Sequence, residues 1–182
     1  DHFAGLPEIL TSETNRTKRK RLFMQPKRIY HNGIVKRPSK MNNKAVPDTK
    51  LLGPTKTDNG QLYLVGLEDN LLDVADSEMN EPFREWKKTL AVYNSRSEVA
   101  FRRLQFGDNQ AFEFFNQGDL RIETLGPITT TVDGHPALKF LGEPPKGPRI
   151  GHESLNDRDE GFTGHSASHT INGHSIVFRL VY

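Results

Sequence analysis

Four of the seven histidines, His152, His165, His169 and His174, fall in the last 31 residues. Three of these lie in the Gly/Ser/Thr-rich run of residues 164–175, which reads as a loop leading into an apolar strand. Neutral imidazole is a good ligand for divalent cations, and a flexible loop before a rigid strand lets several rings turn toward one point. The competing reading is an ordinary surface loop with incidental histidines. At the other end of the chain Asp1-His2 sets a carboxylate beside an imidazole. With no Cys in the chain, any metal must be held by His, Asp, Glu or Asn.

Elements that would position these residues can be read on both sides. Residues 176–182, Ile-Val-Phe-Arg-Leu-Val-Tyr, are apolar on both faces apart from Arg179, the pattern of an interior strand covered from both sides. Behind Asp1-His2, Pro7 suits a first helical turn, Glu8 the positive end of its dipole, and Ile9 and Leu10 burial, so a short helix is expected there. In mid-chain Asn80 can cap a helix over residues 80–95, with Pro82 early and Phe83, Trp86, Leu90 and Tyr93 at helical spacing. That stripe is core packing. Residues 27–33 alternate briefly and stop at Asn32-Gly33, residues 62–67 have the apolar content of a strand, and residues 120–125 alternate until Gly126-Pro127. The Gly/Pro-rich residues 142–151 read as a loop, and no internal repeat is found.

Bulk composition sets limits on these elements. With 34% hydrophobic and 26% charged residues and a mean hydropathy of -0.66, the chain is polar for an enzyme domain, which implies long solvated insertions or an incomplete domain. No run nears the roughly 18 apolar residues that cross a bilayer, and no charged-then-apolar leader opens the chain. A cytoplasmic location is the expectation. Net charge is only +2, yet residues 1–50 hold 12 Lys/Arg against four Asp/Glu. Arg16, Lys18, Arg19, Lys20 and Arg21 are candidates for contacts to an anionic partner such as nucleic acid, against the alternative of a solvated basic loop. An opening Asp in place of Met, and an apolar strand at the last residue, suggest an internal slice of a longer protein.

Asp1-His2, followed by a small residue, Gly5, Leu6 and a helix, resembles the second half of the His-x-His-x-Asp-His signature of the metallo-β-lactamase superfamily. Asn172-Gly173-His174-Ser175-Ile176-Val177-Phe178-Arg179-Leu180 resembles the Asn-x-x-Ser-hydrophobic strand of its ComEC-like branch, the hydrolase domain of DNA-uptake competence proteins and their soluble relatives. Arg28-Ile29-Tyr30-His31-Asn32-Gly33 and Leu120-Arg121-Ile122-Glu123-Thr124-Leu125-Gly126-Pro127 are similar to other strand-turn segments of that branch, and the matches occur in the family's order.

This resemblance implies an α/β fold, a partial α/β/β/α sandwich with a long basic, loop-rich insertion. The expected division is a metal-loop helix over residues 1–12, the basic insertion over 13–60, mixed strands and helix over 61–163, and a His-rich loop with a buried strand over 164–182. It also implies two divalent metals, zinc by family habit, with Asp1 and His2 as ligands of one, His174 or Asn172 as a further ligand, and His169 and His165 behind them. The first two histidines of the signature and the later Gly-Asp are absent from this chain. The expected function is therefore a fragment of a metal-dependent hydrolase acting on phosphodiesters, inactive alone, the alternative being a non-catalytic module that grips nucleic acid or an acidic partner. Asp1 and His2 are expected beside His174 at a sheet edge.

Overall fold

A computed structural model describes residues 5–41, 43–115, 118–143 and 163–182. The fold is mixed α/β. Helix α1 spans Gly5–Ser12, strand β1 Arg28–His31, the short hairpin β2 and β3 Lys40–Met41 and Lys44–Ala45, and the hairpin β4 and β5 Thr55–Asp58 and Gln61–Leu64. Helix α2, Glu81–Arg96, precedes β6, Ala100–Arg103; then follow β7 at Arg121–Gly126, β8 at Thr130–Val132, β9 at His135–Lys139, α3 at Ala167–Gly173 and β10 at Val177–Val181. The largest described sheet has four strands in the order β4-β5-β9-β8, antiparallel throughout. β1 pairs in parallel with β6, and β10 pairs antiparallel with β7. None of the described helices is long and apolar enough to cross a membrane.

Helix α2 forms where its signals lie. The Asn80 side chain accepts the Phe83 amide at 3.1 Å, Pro82 occupies the first turn, and Phe83, Leu90 and Tyr93 are buried while Trp86 is half-buried. Phe83 packs with Val35, Leu71, Val74 and Met79, and Trp86 meets its ring edge-on. A second cluster, Ile34, Leu51, Leu52, Leu64, Leu138 and Phe140, fills the space above the four-stranded sheet. Ile171 of α3 packs against both clusters and joins them.

The turn His31-Asn32-Gly33 ties three elements together. Gly33 N–H donates to His31 Nδ1 at 3.1 Å, so the ring proton resides on Nε2 and is donated to the Asp69 carbonyl at 3.1 Å. Asn32 Oδ1 accepts the Ile34 amide, and its Nδ2 donates to the His174 carbonyl at 2.9 Å, which links β1 to the end of α3. Gly33 has φ +81°, and a Cβ there would run into the Arg103 side chain and the Glu68 carbonyl. Arg103 in turn holds Asp69 at 2.8 Å.

Two expectations are corrected. Residues 164–175 are not a loop throughout: residues Ala167–Gly173 form α3, because Ser166 caps it by accepting the His169 amide and Ile171 and Thr170 supply a buried face. The closing strand is not interior: β10 has only β7 beside it among the described residues, and Val177, Phe178, Arg179 and Leu180 are all exposed. Apolar content on both faces signals burial only where layers exist to cover both faces; here Phe112 meets the Phe178 ring edge-on at 5.0 Å and its cluster packs against Ile176, yet the strand stays largely open to solvent. Residues 13–60, in which the sequence suggested one short strand, carry the β2/β3 hairpin and β4 in addition to β1. Among the described residues the sheets are one of four strands and three of two.

Burial drives the pKa of His31 down to about 4, since the charged ring would lose water without gaining a carboxylate partner at hydrogen-bonding distance. His31 is thus neutral in the fold, and the unfolded chain takes up its proton first as pH falls. Stability should be fully present above about pH 6.5 and fall by about 3 kcal/mol as pH drops to about 4, levelling off below. Urea unfolding at a series of pH values measures this, and His31→Gln should flatten the slope. The buried Tyr93 hydroxyl has no hydrogen-bond partner among the described residues. Tyr93→Phe should therefore stabilise the fold by about 1 kcal/mol, seen as a higher urea midpoint at unchanged slope.

Candidate functional site

A groove of about 670 Å³ opens where the four-stranded sheet meets α3. Gly60, Gln61 and Leu62 of the β4–β5 hairpin form one side, Lys139 to Gly142 the floor, and Gly164, His165, His169, Asn172 and Gly173 the other side. Three of the residues singled out in the sequence, His165, His169 and Asn172, thus share one cavity.

The seating of α3 decides the groove's shape. Thr170 is fully buried; its hydroxyl donates to the Ser166 carbonyl at 2.8 Å and accepts the Leu141 amide at 2.9 Å. Ser166 N–H donates to the Leu141 carbonyl at 2.9 Å, and the Asp48 carboxylate receives the Ala167 amide at 3.0 Å, adding negative charge where the helix begins. At Gly142 the backbone carbonyls of Thr163 and Gly164 would lie 2.9 and 3.0 Å from any Cβ, so only glycine allows the two segments to approach and pair at Glu143 and Thr163.

The histidines divide into two kinds. His174, a candidate ligand, is buried at the C-terminus of α3, where its Nε2 donates to the Lys139 carbonyl at 2.7 Å. Burial pushes its pKa down, which keeps the ring neutral, and it does not line the groove. His165 and His169 are exposed and do line it. His165 lies edge-on to Phe140, with ring centroids 5.7 Å apart. His169 pairs its Nδ1 with Ser166 Oγ at 2.9 Å, which leaves Nε2 open to an incoming group. Asn172 is exposed on the same helix.

Asp1 and His2, the first expected ligands, lie outside the described residues, as do His152 and residues 144–151 of the expected Gly/Pro loop. Among the described residues no three His, Asp or Glu side chains gather closely enough to hold a cation. On that observation the described donors alone do not fit a two-metal centre. They fit an anion better: Lys139, two imidazoles and the Asn172 amide line the groove with no carboxylate among the lining residues, while the Gln61 Nε2 is spent on the Leu62 and Phe140 carbonyls at 2.9 and 3.2 Å. Lys139 and Gln61 were not singled out from the sequence. Each sits in an ordinary strand, and only the pairing of β5 with β9, which sets Tyr63 opposite Lys139, brings them to α3.

The basic residues Arg16, Lys18, Arg19 and Lys20 are exposed and Arg21 half-buried, in a turn that includes a short 3₁₀ segment at Lys18–Lys20. None of them lines the groove.

Comparison of the chain with protein-family models, with curated proteins and with solved structures returns no match in any of the three.

Thr170→Val keeps the volume of the buried side chain but leaves the Leu141 amide without its acceptor. Loss of about 1–3 kcal/mol is expected in urea unfolding, and amide exchange at Leu141 should accelerate more than in the body of α2.

Proposed function

We propose that this chain is part of a metal-dependent hydrolase of phosphodiester-type substrates and that the groove beside α3 receives the substrate's anionic group. The observation that carries the reading is the lining of that groove: an ammonium, two imidazoles and the Asn172 amide, without a carboxylate, beside the segment that resembles the competence-type strand motif. Lys139 supplies a fixed positive charge, while His169 Nε2, His165 and the Asn172 amide supply donors that can reach phosphoryl oxygens. The hydrolytic part of the reading rests on the resemblance at Asp1-His2 and residues 172–180. No chemical step is assigned to a metal, because the described donors do not form its site.

A second reading is a binding module that takes the same anionic group and does not cleave it. It is favoured by the burial of His174, which spends its Nε2 on the Lys139 carbonyl. The two readings share the groove and differ in turnover.

Titration of the chain with a dinucleotide, followed by amide NMR, should move the signals of Leu62, Leu141, Gly142 and Gly173. Lys139→Gln should weaken binding about tenfold and His169→Gln about threefold, from the loss of a charged and a neutral hydrogen bond respectively. Shifts confined to other surfaces would remove the groove from the proposal. Zinc content and release of nitrophenolate from bis(p-nitrophenyl) phosphate, measured on the full-length protein, then separate hydrolase from binding module.

A further inference from the structure

The segment between α1 and β1 combines two features that rarely coincide on a solvated surface. Between residues 14 and 27 there are six Lys/Arg and no Asp or Glu. Directly after the densest run, residues 16–21, and before Lys27 and Arg28 stand Leu22, Phe23 and Met24, which are 58%, 73% and 39% exposed. Single exposed apolar residues need no explanation, but three adjacent ones in a fixed loop do.

The loop is held in shape. At one end Ser12 Oγ accepts the Leu22 amide at 3.0 Å, and both oxygens of Glu13 accept from Arg96 at 3.0 and 2.8 Å. At the other end Gln25 Nε2 donates to the Tyr93 carbonyl at 3.0 Å. Between them Asn15 Oδ1 accepts the Thr17 amide, Arg21 Nε donates to the Asn15 carbonyl at 2.7 Å, and Lys18–Lys20 make one 3₁₀ turn. Both ends are thereby anchored to the C-terminal half of α2, and the apolar triplet is presented to solvent instead of folding inward. Among the described residues none of Arg16, Lys18, Arg19, Lys20 and Arg21 forms an ion pair with a carboxylate.

We propose that this loop docks the protein on an anionic lipid surface, with Leu22, Phe23 and Met24 entering the headgroup boundary and the flanking cations resting on the lipid phosphates and carboxylates. Charge complementarity selects an anionic partner, and the apolar triplet selects which kind. A nucleic acid would use Phe23 for stacking, but Leu22 and Met24 have no ring to stack on a base, whereas all three suit an acyl boundary. Each basic residue near such a surface adds roughly fivefold to binding, and the apolar triplet makes the attachment less sensitive to salt than charge alone. This inference is independent of the groove and of hydrolysis.

Co-sedimentation with vesicles tests it. The protein should bind vesicles of phosphatidylcholine with about one-third phosphatidylserine at least tenfold better than phosphatidylcholine alone. Replacing Leu22, Phe23 and Met24 together by Ser should cut that binding about tenfold while all cations remain. Replacing Arg16, Lys18, Arg19 and Lys20 together by Gln should cut it further. The anchors Ser12, Glu13 and Gln25 are untouched, so the melting temperature should hold in both variants. As a separate readout, Phe23→Trp emission should shift to the blue on adding the anionic vesicles. Equal binding to both vesicle types, a serine variant that sediments like the parent, or tryptophan emission that stays at the water-exposed wavelength each overturns the proposal; the last two would mark the loop as a purely electrostatic grip of the kind used on nucleic acid.

Discussion

The position of α3 depends on one buried hydroxyl. Thr170 reaches from the helix to the chain leaving β9, and the same oxygen serves the Leu141 amide and the Ser166 carbonyl. A seven-residue helix has little stability of its own, so its place is set by tertiary contacts. Thr170 gives it one fixed point, Ile171 plugs into two apolar clusters, and Asn32 clasps the carbonyl at its end. The groove, with His165, His169 and Asn172 along one side, exists because these three attachments agree.

The same packing sorts the imidazoles by what they can still do. His31 and His174 have exchanged water for backbone carbonyls, so they are neutral and committed to structure. Proton uptake by His31 would break the bond its Nδ1 accepts from the Gly33 amide, and at His174 it would place a charge in a buried site, so both couple acidity to unfolding. His165 and His169 keep their access to solvent and remain free to meet a ligand. A histidine's place in the sequence does not separate these fates: His169 and His174 are five residues apart, on and just beyond one short helix.

Local signals in the sequence translated well where the element carries its own punctuation. The Asn80 cap, the early Pro82 and the stripe through Tyr93 define α2, the Asn32-Gly33 stop ends β1 where expected, and Gly126 closes β7. Signals that depend on neighbours were harder to read. Helix α3 hides in a Gly/Ser/Thr-rich run because Thr170 and Ser166 have poor helix propensity until Leu141 and Ile171's neighbours receive them. Lys139 and Gln61 gained significance only through strand register, which periodicity does not reveal. The apolar composition of residues 176–182 implied two covering layers, and local pattern holds no information on whether those layers are present.

Strand β10 has a further consequence. Its side toward β7 is paired, with one register shift between Val177 and Phe178, while its opposite row of peptide groups has no strand beside it among the described residues. Val177, Phe178 and Leu180 lie along it, interrupted only by Arg179, whose guanidinium is drawn across to Glu123. A margin of this kind acts as a template, and a single cation already occupied by its own neighbour is thin protection against a foreign strand adding on. Handling at high concentration would therefore favour ribbons built edge to edge through this margin.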